Sequence, residues 1–299
     1  MSKNRLENKF ILSVFWNYIK HVDHFWVATW IIIFVGFMTL DAFTHITTGT
    51  TFFGTTVLRY SGIILTIVYA ARKFPKDYLL QIALLFTLLA DTILVVDSTS
   101  YLGVFVFCLA QYFHIARFAG TEPKFFISWT VAVIAVFYFG VSSHLEPMYF
   151  LAAIYGASLL INVRLAKRWF IRARKYITIT AVDAKSADLM STQTAKTHKD
   201  DKDVHLTPEE YHRELIASSC AFSGFILFLC CDICVALSYL SHENMLPVWM
   251  YGLMNYLDWA FYYPAQVLIS NSSAITDQPR RKKSYFFKKK HQKKDFAVK

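Results

Sequence analysis

Two aspartates interrupt the most apolar stretches of the sequence. Asp91 lies inside residues 78–97 and Asp232 lies inside residues 222–240, and most of their neighbours are hydrophobic. A carboxylate at the centre of a bilayer costs about 2.5–3.5 kcal/mol on insertion scales, so a helix that carries one usually turns it toward protein or water. Acidic side chains in such places often transfer protons. We therefore take Asp91 and Asp232 as the candidates for chemistry.

The composition places these acids in an integral membrane protein. Of 299 residues, 55% are hydrophobic and 17% are charged, whereas soluble domains average about 25% charged residues. The five cysteines fall in apolar runs, which argues against a disulfide framework. Cys231 and Cys234 form a C-x-x-C without a second pair, so small buried side chains are favoured over a metal or redox site. We expect no cofactor and no metal.

Apolar stretches of about 20 residues predict an all-α fold with eight transmembrane helices in one bundle. The predicted spans, in order, are residues 25–44, 54–71, 78–96, 101–119, 125–142, 147–163, 215–240 and 247–270. The sixth is the shortest, because Arg164 follows it directly. No cleavable signal peptide is evident, so we expect the first span to act as an uncleaved anchor.

Basic residues predict the orientation of this bundle. Lys and Arg occur in every second connection, at residues 72–76, 117–124 and 164–175, and none occurs at residues 45–53, 97–100, 143–146 or 241–246. Both termini are therefore expected to face the cytoplasm, which requires an even number of spans. The expected location is the plasma membrane.

Three segments accompany the predicted bundle of residues 24–271. Residues 1–23 form a basic N-terminus, which is either an interfacial helix or a simple topology signal. Residues 176–206 lack the large apolar side chains of a core, which predicts a flexible cytoplasmic insert. Directly after the insert, residues 207–210 read Thr-Pro-Glu-Glu, a capping box that should begin a helix.

The third segment, residues 272–299, is a polybasic cytoplasmic tail. Residues 280–299 contain ten Lys or Arg and one Asp, with three aromatic residues between two basic runs. Residues 280–294 suit the anionic lipids of the inner leaflet, at about 1 kcal/mol per basic residue near the surface. An equal alternative is that the tail binds no specific ligand and only fixes the orientation of the protein in the membrane. We expect no nucleic-acid partner, because the tail adjoins a membrane span and no nucleic-acid fold is present.

The two candidate acids are predicted to lie at a similar depth. Asp91 is six residues from the outer end of its span and Asp232 is nine residues from its own, so they lie about 9 Å and about 14 Å inside that face. Arg59, near the outer end of the second span, is the expected counter-charge. The alternative for Arg59 is a purely structural pairing with one of the two aspartates.

Other polar residues in the spans share faces. In the fourth span, Gln111 and His114 are three residues apart and therefore on one face, although interhelical hydrogen bonding alone explains a lone His. In the eighth span, Asp258, Tyr262 and Gln266 recur every four residues and predict a polar stripe that faces a cavity. Asp41, near the outer end of the first span, is expected to be interfacial.

These polar positions and their neighbours resemble the lysoplasmalogenase (YhhN-like) family of membrane hydrolases. The resemblance is carried by residues 84–91 in the third span, 102–111 in the fourth, 224–232 in the seventh and 262–266 in the eighth. The chain departs from the family pattern at Ala90, where Gly is usual, and at Gln111 and His114, where His and Tyr are usual. Arg59-Tyr60 stands in place of Lys-Pro, and the 176–206 insert is extra.

The resemblance implies hydrolysis of the vinyl ether bond of a lysoplasmalogen, a lysophospholipid, to a fatty aldehyde and a glycerophospho-alcohol. Vinyl ethers are cleaved by acid, and burial favours the neutral form of a carboxylic acid. An acid and a carboxylate on either side of an oxocarbenium ion also operate in glycosidases. We assign Asp91 and Asp232 to these two roles without deciding their order. The expected substrate-binding residues are Arg59, Gln111, His114, Asp258, Tyr262 and Gln266.

The alternative is a membrane protein that is not an enzyme. Facing acids and an arginine also suit a proton-coupled transporter of small solutes, or a lipid-binding scaffold. Against a transporter, the sequence shows neither paired broken helices nor an inverted repeat. Release of aldehyde from a lysoplasmalogen distinguishes the two classes.

Overall fold

A computed structural model describes residues 24–48, 53–97, 100–119, 123–144, 146–190, 208–247 and 249–273. These ranges contain eight helices and no strand, which confirms the predicted all-α class. The helices are α1 (His24–Thr48), α2 (Phe53–Lys73), α3 (Tyr78–Val96), α4 (Tyr101–Ala119), α5 (Pro123–Ser142), α6 (Pro147–Met190), α7 (Pro208–His242) and α8 (Trp249–Ser270).

Local sequence explains where several helices begin and end. The side chain of Asp77 accepts a hydrogen bond from the Leu80 amide at 3.1 Å and so caps the start of α3. Helix α7 begins at Pro208, as the capping box predicts. It ends in a Schellman motif: Asn244 adopts φ 58°, and the Met245 amide donates to the Leu240 carbonyl at 2.9 Å.

Six of the eight helices are long and apolar enough to cross a membrane, and they support an integral membrane protein. Within the described residues, α5 and α8 do not meet that criterion, although both were predicted as spans. The strongly apolar part of α5 covers only Trp129–Gly140, and α8 carries the polar residues Asp258 and Gln266. Eight helices are thus found at the predicted positions, whereas the number of spans and the orientation of the termini stay predictions.

The sixth helix corrects the prediction for the insert. Helix α6 continues to Met190 and contains 44 residues, so it is the longest helix rather than the shortest span. The basic residues after position 163 do not end it, because Lys and Arg are good helix formers. Residues 176–190 are therefore helical, which was not predicted, whereas the flexibility and the cytoplasmic location of the insert stay predictions. Residues 1–23, 191–207 and 274–299, including the predicted basic tail, lie outside the described residues.

The core of the bundle joins α2, α3, α6, α7 and α8. One buried side chain from each of these helices illustrates this cluster: Ile63, Leu84, Leu159, Phe225 and Ile269. Helix α1 joins through a second, aromatic cluster that contains Trp30, Phe37, Tyr69 and Tyr263. This packing surrounds α8 with other helices, so the polar residues of α8 face protein.

Glycine permits the closest approach within this core. A Cβ atom added at Gly224 of α7 would lie 2.8 Å from the Ile269 side chain, 3.1 Å from the Ile269 amide nitrogen and 3.2 Å from the Ala265 carbonyl oxygen of α8. Backbone atoms of α8 cannot yield as a flexible side chain can. The absence of a side chain at Gly224 therefore sets the separation of α7 and α8.

A buried polar cluster ties three helix ends together on the side predicted to be cytoplasmic. Arg117 donates from Nε to Asp77 Oδ2 at 2.8 Å and from Nη1 to the Ser272 hydroxyl at 2.8 Å. The Ser273 hydroxyl donates to the same Asp77 oxygen at 2.5 Å. Arg117, which follows His114 by three residues, is thus a buried structural contact between α3, α4 and the end of α8.

We expect Gly224→Ala to destabilise the protein, because the new methyl group meets the α8 backbone. Overpacking of this kind costs about 1–3 kcal/mol. The measurement is unfolding in detergent, followed by circular dichroism. Gly36→Ala in α1 is the matched control, because a Cβ atom there meets nothing within 4 Å. It should leave stability unchanged or raise it by up to about 1 kcal/mol. Equal unfolding temperatures for the two variants would contradict the packing argument.

We also expect Asp77→Asn to destabilise the bundle. The substitution keeps an oxygen that can cap α3 but leaves the buried Arg117 guanidinium without its carboxylate, at a cost of about 3–5 kcal/mol. The same unfolding experiment measures this loss. Asp97→Asn, at the exposed other end of α3, should stay near the wild type. A similarly small effect of Asp77→Asn would show that the ion pair contributes little.

Candidate functional site

Asp91 lies in α3 between two tyrosine hydroxyl groups. The Tyr262 hydroxyl of α8 donates a hydrogen bond to Asp91 Oδ2, and the Tyr60 hydroxyl of α2 donates to the Asp91 backbone carbonyl at 3.0 Å. Only 9% of Asp91 is exposed. The structure therefore brings together Asp91 and Tyr262, which were predicted separately, and it turns this acid toward protein.

Asp232 lies in α7 and faces a different neighbour. The Tyr155 hydroxyl of α6 is 2.9 Å from Asp232 Oδ1 and 2.8 Å from Oδ2. Asp232 is half-buried. Tyr155 was missed in the sequence analysis, although a signal exists. It lies eight residues inside α6, about 12 Å from the helix start, too deep for an interfacial tyrosine, so its hydroxyl needs a partner inside the bundle.

Asp258 of α8 is bonded to a thiol. Cys231 Sγ of α7 donates to Asp258 Oδ1 at 2.8 Å. Cys231 and Asp232 are adjacent on α7 and so point in different directions, the first toward α8 and the second toward α6. Asp258 and Tyr262 are one turn apart on α8, as the predicted polar stripe requires. Cys231, interpreted from the sequence as a small buried side chain, is buried but also makes this polar contact.

The three acids form one group, which we call the carboxyl cluster (Asp91, Asp232 and Asp258). Asp258 interacts electrostatically with Asp91 and with Asp232, and it therefore links the two predicted acids. The cluster draws one carboxyl group from each of α3, α7 and α8. Each carboxyl accepts a hydrogen bond from a neighbouring helix, through a tyrosine hydroxyl or a cysteine thiol.

Arg59 has a different partner from the one expected. Its guanidinium forms an ion pair with Asp41 of α1 at 2.5 Å and lies 4.4 Å from the centre of the Trp259 ring. The expectation that Arg59 pairs with Asp91 or Asp232 is wrong. The physical reason is that α1 packs beside α2 and brings its own acid to Arg59. Asp41 is only 6% exposed, and its expected position at the membrane interface stays a prediction.

Arg59 nevertheless lies near the carboxyl cluster, because it interacts electrostatically with Asp258. Its Nε atom and Asp41 Oδ1 are buried and have no hydrogen-bond partner among the described residues. The predicted role of Arg59 in substrate binding stays a prediction.

The structure places Gln111 and His114 in other surroundings. Gln111 accepts hydrogen bonds from Asn162 Nδ2 of α6, at 2.8 Å to its side-chain oxygen and 3.1 Å to its backbone oxygen. The His114 ring meets the edge of Phe225 at 5.2 Å between centroids. Asn162 was missed, although an amide inside an apolar span signals an interhelical hydrogen bond.

Three buried polar atoms in this part of the bundle have no hydrogen-bond partner within the described residues: His114 Nδ1, Asn162 Oδ1 and Gln266 Oε1. Buried polar atoms usually bond to protein or to ordered water. These atoms are therefore suited to hold water inside the bundle. The binding roles predicted for Gln111, His114 and Gln266 stay predictions.

The cluster can do proton chemistry with its own carboxyl groups. Among the described residues, no group of three or more His, Cys, Asp or Glu is arranged to hold a metal ion. One guanidinium in those residues, that of Arg59, interacts with the cluster, and it is already paired with Asp41. Carboxyl groups that interact with one another favour sharing a proton. Such a group can supply both a proton donor and a carboxylate.

Comparisons with known proteins bear on the predicted resemblance. No curated protein and no solved structure matches the chain. A model of the YhhN family matches residues 54–185, from α2 into α6. The matched residues include Asp91 and Tyr155, whereas α7 and α8, with Asp232 and Asp258, lie outside them. Residues 54–185 are thus similar to the YhhN family, which confirms the resemblance predicted for the third and fourth spans.

Proposed function

We propose that Asp91 and Asp232 of the carboxyl cluster hydrolyse the vinyl ether bond of a lysoplasmalogen. The observation that supports the proposal is that these two acids, on different helices of an apolar bundle, are each bonded to a tyrosine hydroxyl and both interact electrostatically with Asp258. The match to the YhhN family supports the class of hydrolase. Helices α3 and α7, which carry Asp91 and Asp232, are both membrane-compatible, and this suits a lipid substrate.

The reaction needs one proton donor and one water molecule. A protonated carboxyl gives its proton to the vinyl carbon farther from the ether oxygen, and the carbon bonded to that oxygen becomes an oxocarbenium ion. Water adds to this carbon and loses a proton to a carboxylate. The resulting hemiacetal gives its hydroxyl proton to the carboxylate left by the first step, while its bond to the glycerol oxygen breaks and that oxygen takes the proton from the second acid. The products are a fatty aldehyde and a glycerophospho-alcohol, and both acids return to their starting states. The sum is addition of one water across one bond.

Asp91 and Asp232 are the residues we assign to donor and carboxylate. Both lie within the electrostatic reach of Asp258, and each keeps its orientation through a tyrosine from another helix. Positioning of this kind matters, because general acid catalysis contributes about 10²–10⁴-fold only when the donor lies within hydrogen-bond reach of the reacting group. Tyr155 and Tyr262 are therefore positioning residues for the two acids.

Asp91→Asn and Asp232→Asn should each lower aldehyde release from a lysoplasmalogen by about 10²–10⁴-fold. An amide of the same shape cannot supply the proton or take it back. The assay is release of free aldehyde by purified protein in detergent. Asp97→Asn is the matched control, because it removes an exposed carboxyl from the same helix as Asp91. Near-normal turnover in both cluster variants would end the assignment.

Tyr155→Phe and Tyr262→Phe should lower kcat by about tenfold, because each leaves one acid without its hydroxyl donor at a cost of about 1–2 kcal/mol. The ring remains, so the packing is retained. Tyr239→Phe, on an exposed position of α7, serves as the control. Steady-state kinetics with one lysoplasmalogen separates kcat from KM. Unchanged kcat in both site variants would show that the hydroxyls do not orient the acids.

The ester analogue of the substrate tests the reaction type. It has no vinyl ether and should give no aldehyde with the wild-type protein. Proton-dependent uptake of a solute into vesicles, without any aldehyde from a lysoplasmalogen, would instead favour a transporter.

A further inference from the structure

We propose that Asp258 is a third carboxyl group of the reaction site, that it carries the negative charge opposite the cationic transition state, and that Cys231 holds it in place. The inference rests on the proposed function and extends it, since the sequence pattern indicates only a binding role for Asp258. It concerns a residue outside the part of the chain that matches the YhhN family.

The first support is the contact between α7 and α8. Cys231 Sγ and Asp258 Oδ1 are 2.8 Å apart, and the cysteine is only 3% exposed. The two helices are held close at Gly224, seven residues before Cys231, which is about two turns along α7. The close packing of α7 and α8 therefore fixes the Cys231 thiol beside Asp258.

The second support is the position of Asp258 among the charged and titratable groups. From α2, Arg59 interacts with it. It also interacts electrostatically with Asp91 of α3 and, on α7, with Asp232 and the thiols of Cys231 and Cys234. Asp258 thus interacts with both proposed acids, and it is the member of the cluster with which Arg59 interacts.

The surroundings of Asp258 give it a different catalytic role from that of the other two carboxyl groups. Arg59 interacts with Asp258, and a nearby cation favours a negative charge there over the other two carboxyl groups. Asp91 and Asp232, each bonded to a neutral tyrosine hydroxyl, are then the groups between which a proton passes. A fixed negative charge near a developing cation stabilises the transition state more than the neutral substrate, which is the requirement for a faster reaction.

Cys231 acts through Asp258 and is a positioning residue. A thiol is a weak donor, and here it bonds one of the two carboxyl oxygens of Asp258. Serine keeps a donor of nearly the same size, whereas alanine removes it. The pair Cys231→Ser and Cys231→Ala therefore separates the hydrogen bond from the volume of the side chain.

The kinetic test uses the full-length protein with a lysoplasmalogen, together with binding of the saturated alkyl-ether analogue, which cannot be cleaved. Asp258→Asn should lower kcat by about 100-fold, while affinity for the analogue stays within threefold. Cys231→Ala should lower kcat by about tenfold, and Cys231→Ser should restore most of it. Cys230→Ala, at the next position of α7, is the control and should match the wild type.

A spectroscopic test reports on the contact without turnover. The S–H stretching band of Cys231 is identified in the infrared spectrum as the band lost in Cys231→Ser. It should move to higher frequency in Asp258→Asn, because an amide oxygen accepts more weakly than a carboxylate. An unmoved band would overturn the contact.

The kinetic outcomes separate this inference from the proposed function. Wild-type activity together with near-normal kcat in Asp258→Asn overturns the role of Asp258 and leaves the hydrolase intact. A loss of analogue affinity that accounts for the whole defect would also overturn it and favour a binding role. A wild-type protein that releases no aldehyde overturns the proposed function, and the charge assignment falls with it.

Discussion

The cost of placing carboxyl groups inside an apolar bundle governs the arrangement of this protein. Burying an acid that has no partner in such surroundings is strongly unfavourable. In this protein each of four buried acids is bonded to a side chain of another helix. Asp91 meets a tyrosine of α8, Asp232 a tyrosine of α6, Asp258 a cysteine of α7 and Asp41 an arginine of α2. The polar contacts that satisfy the acids therefore also determine which helices are neighbours.

The apolar packing makes these pairings possible. Gly224 lets α7 and α8 approach until backbone atoms of α8 limit them, and the buried cluster around Asp77 and Arg117 joins the ends of α3, α4 and α8. Small separations between helices fix the donors of one helix opposite the acceptors of the next. The same packing of helices consequently forms the apolar core and positions the polar side chains of the site.

The sequence predicted the helices and the interrupting acids well, because a long apolar run and a charge inside it are local signals. It predicted the partners poorly, because pairing depends on which helices pack together. Arg59 was assigned to the wrong acid for this reason. The polar contacts of Tyr155 and Cys231 were missed, since their positions in apolar runs do not reveal which helix supplies the partner. Helix α6 was cut short because basic residues were taken as its end, although they continue the same helix.

The length of α6 has a mechanical consequence. Its membrane-compatible part ends at Arg174, and the following 16 residues up to Met190 remain helical. At 1.5 Å per residue they form a rod of about 24 Å, nearly the thickness of the hydrocarbon layer itself. The connection to α7 therefore begins about 24 Å along the helix axis from the end of the membrane-compatible part of α6.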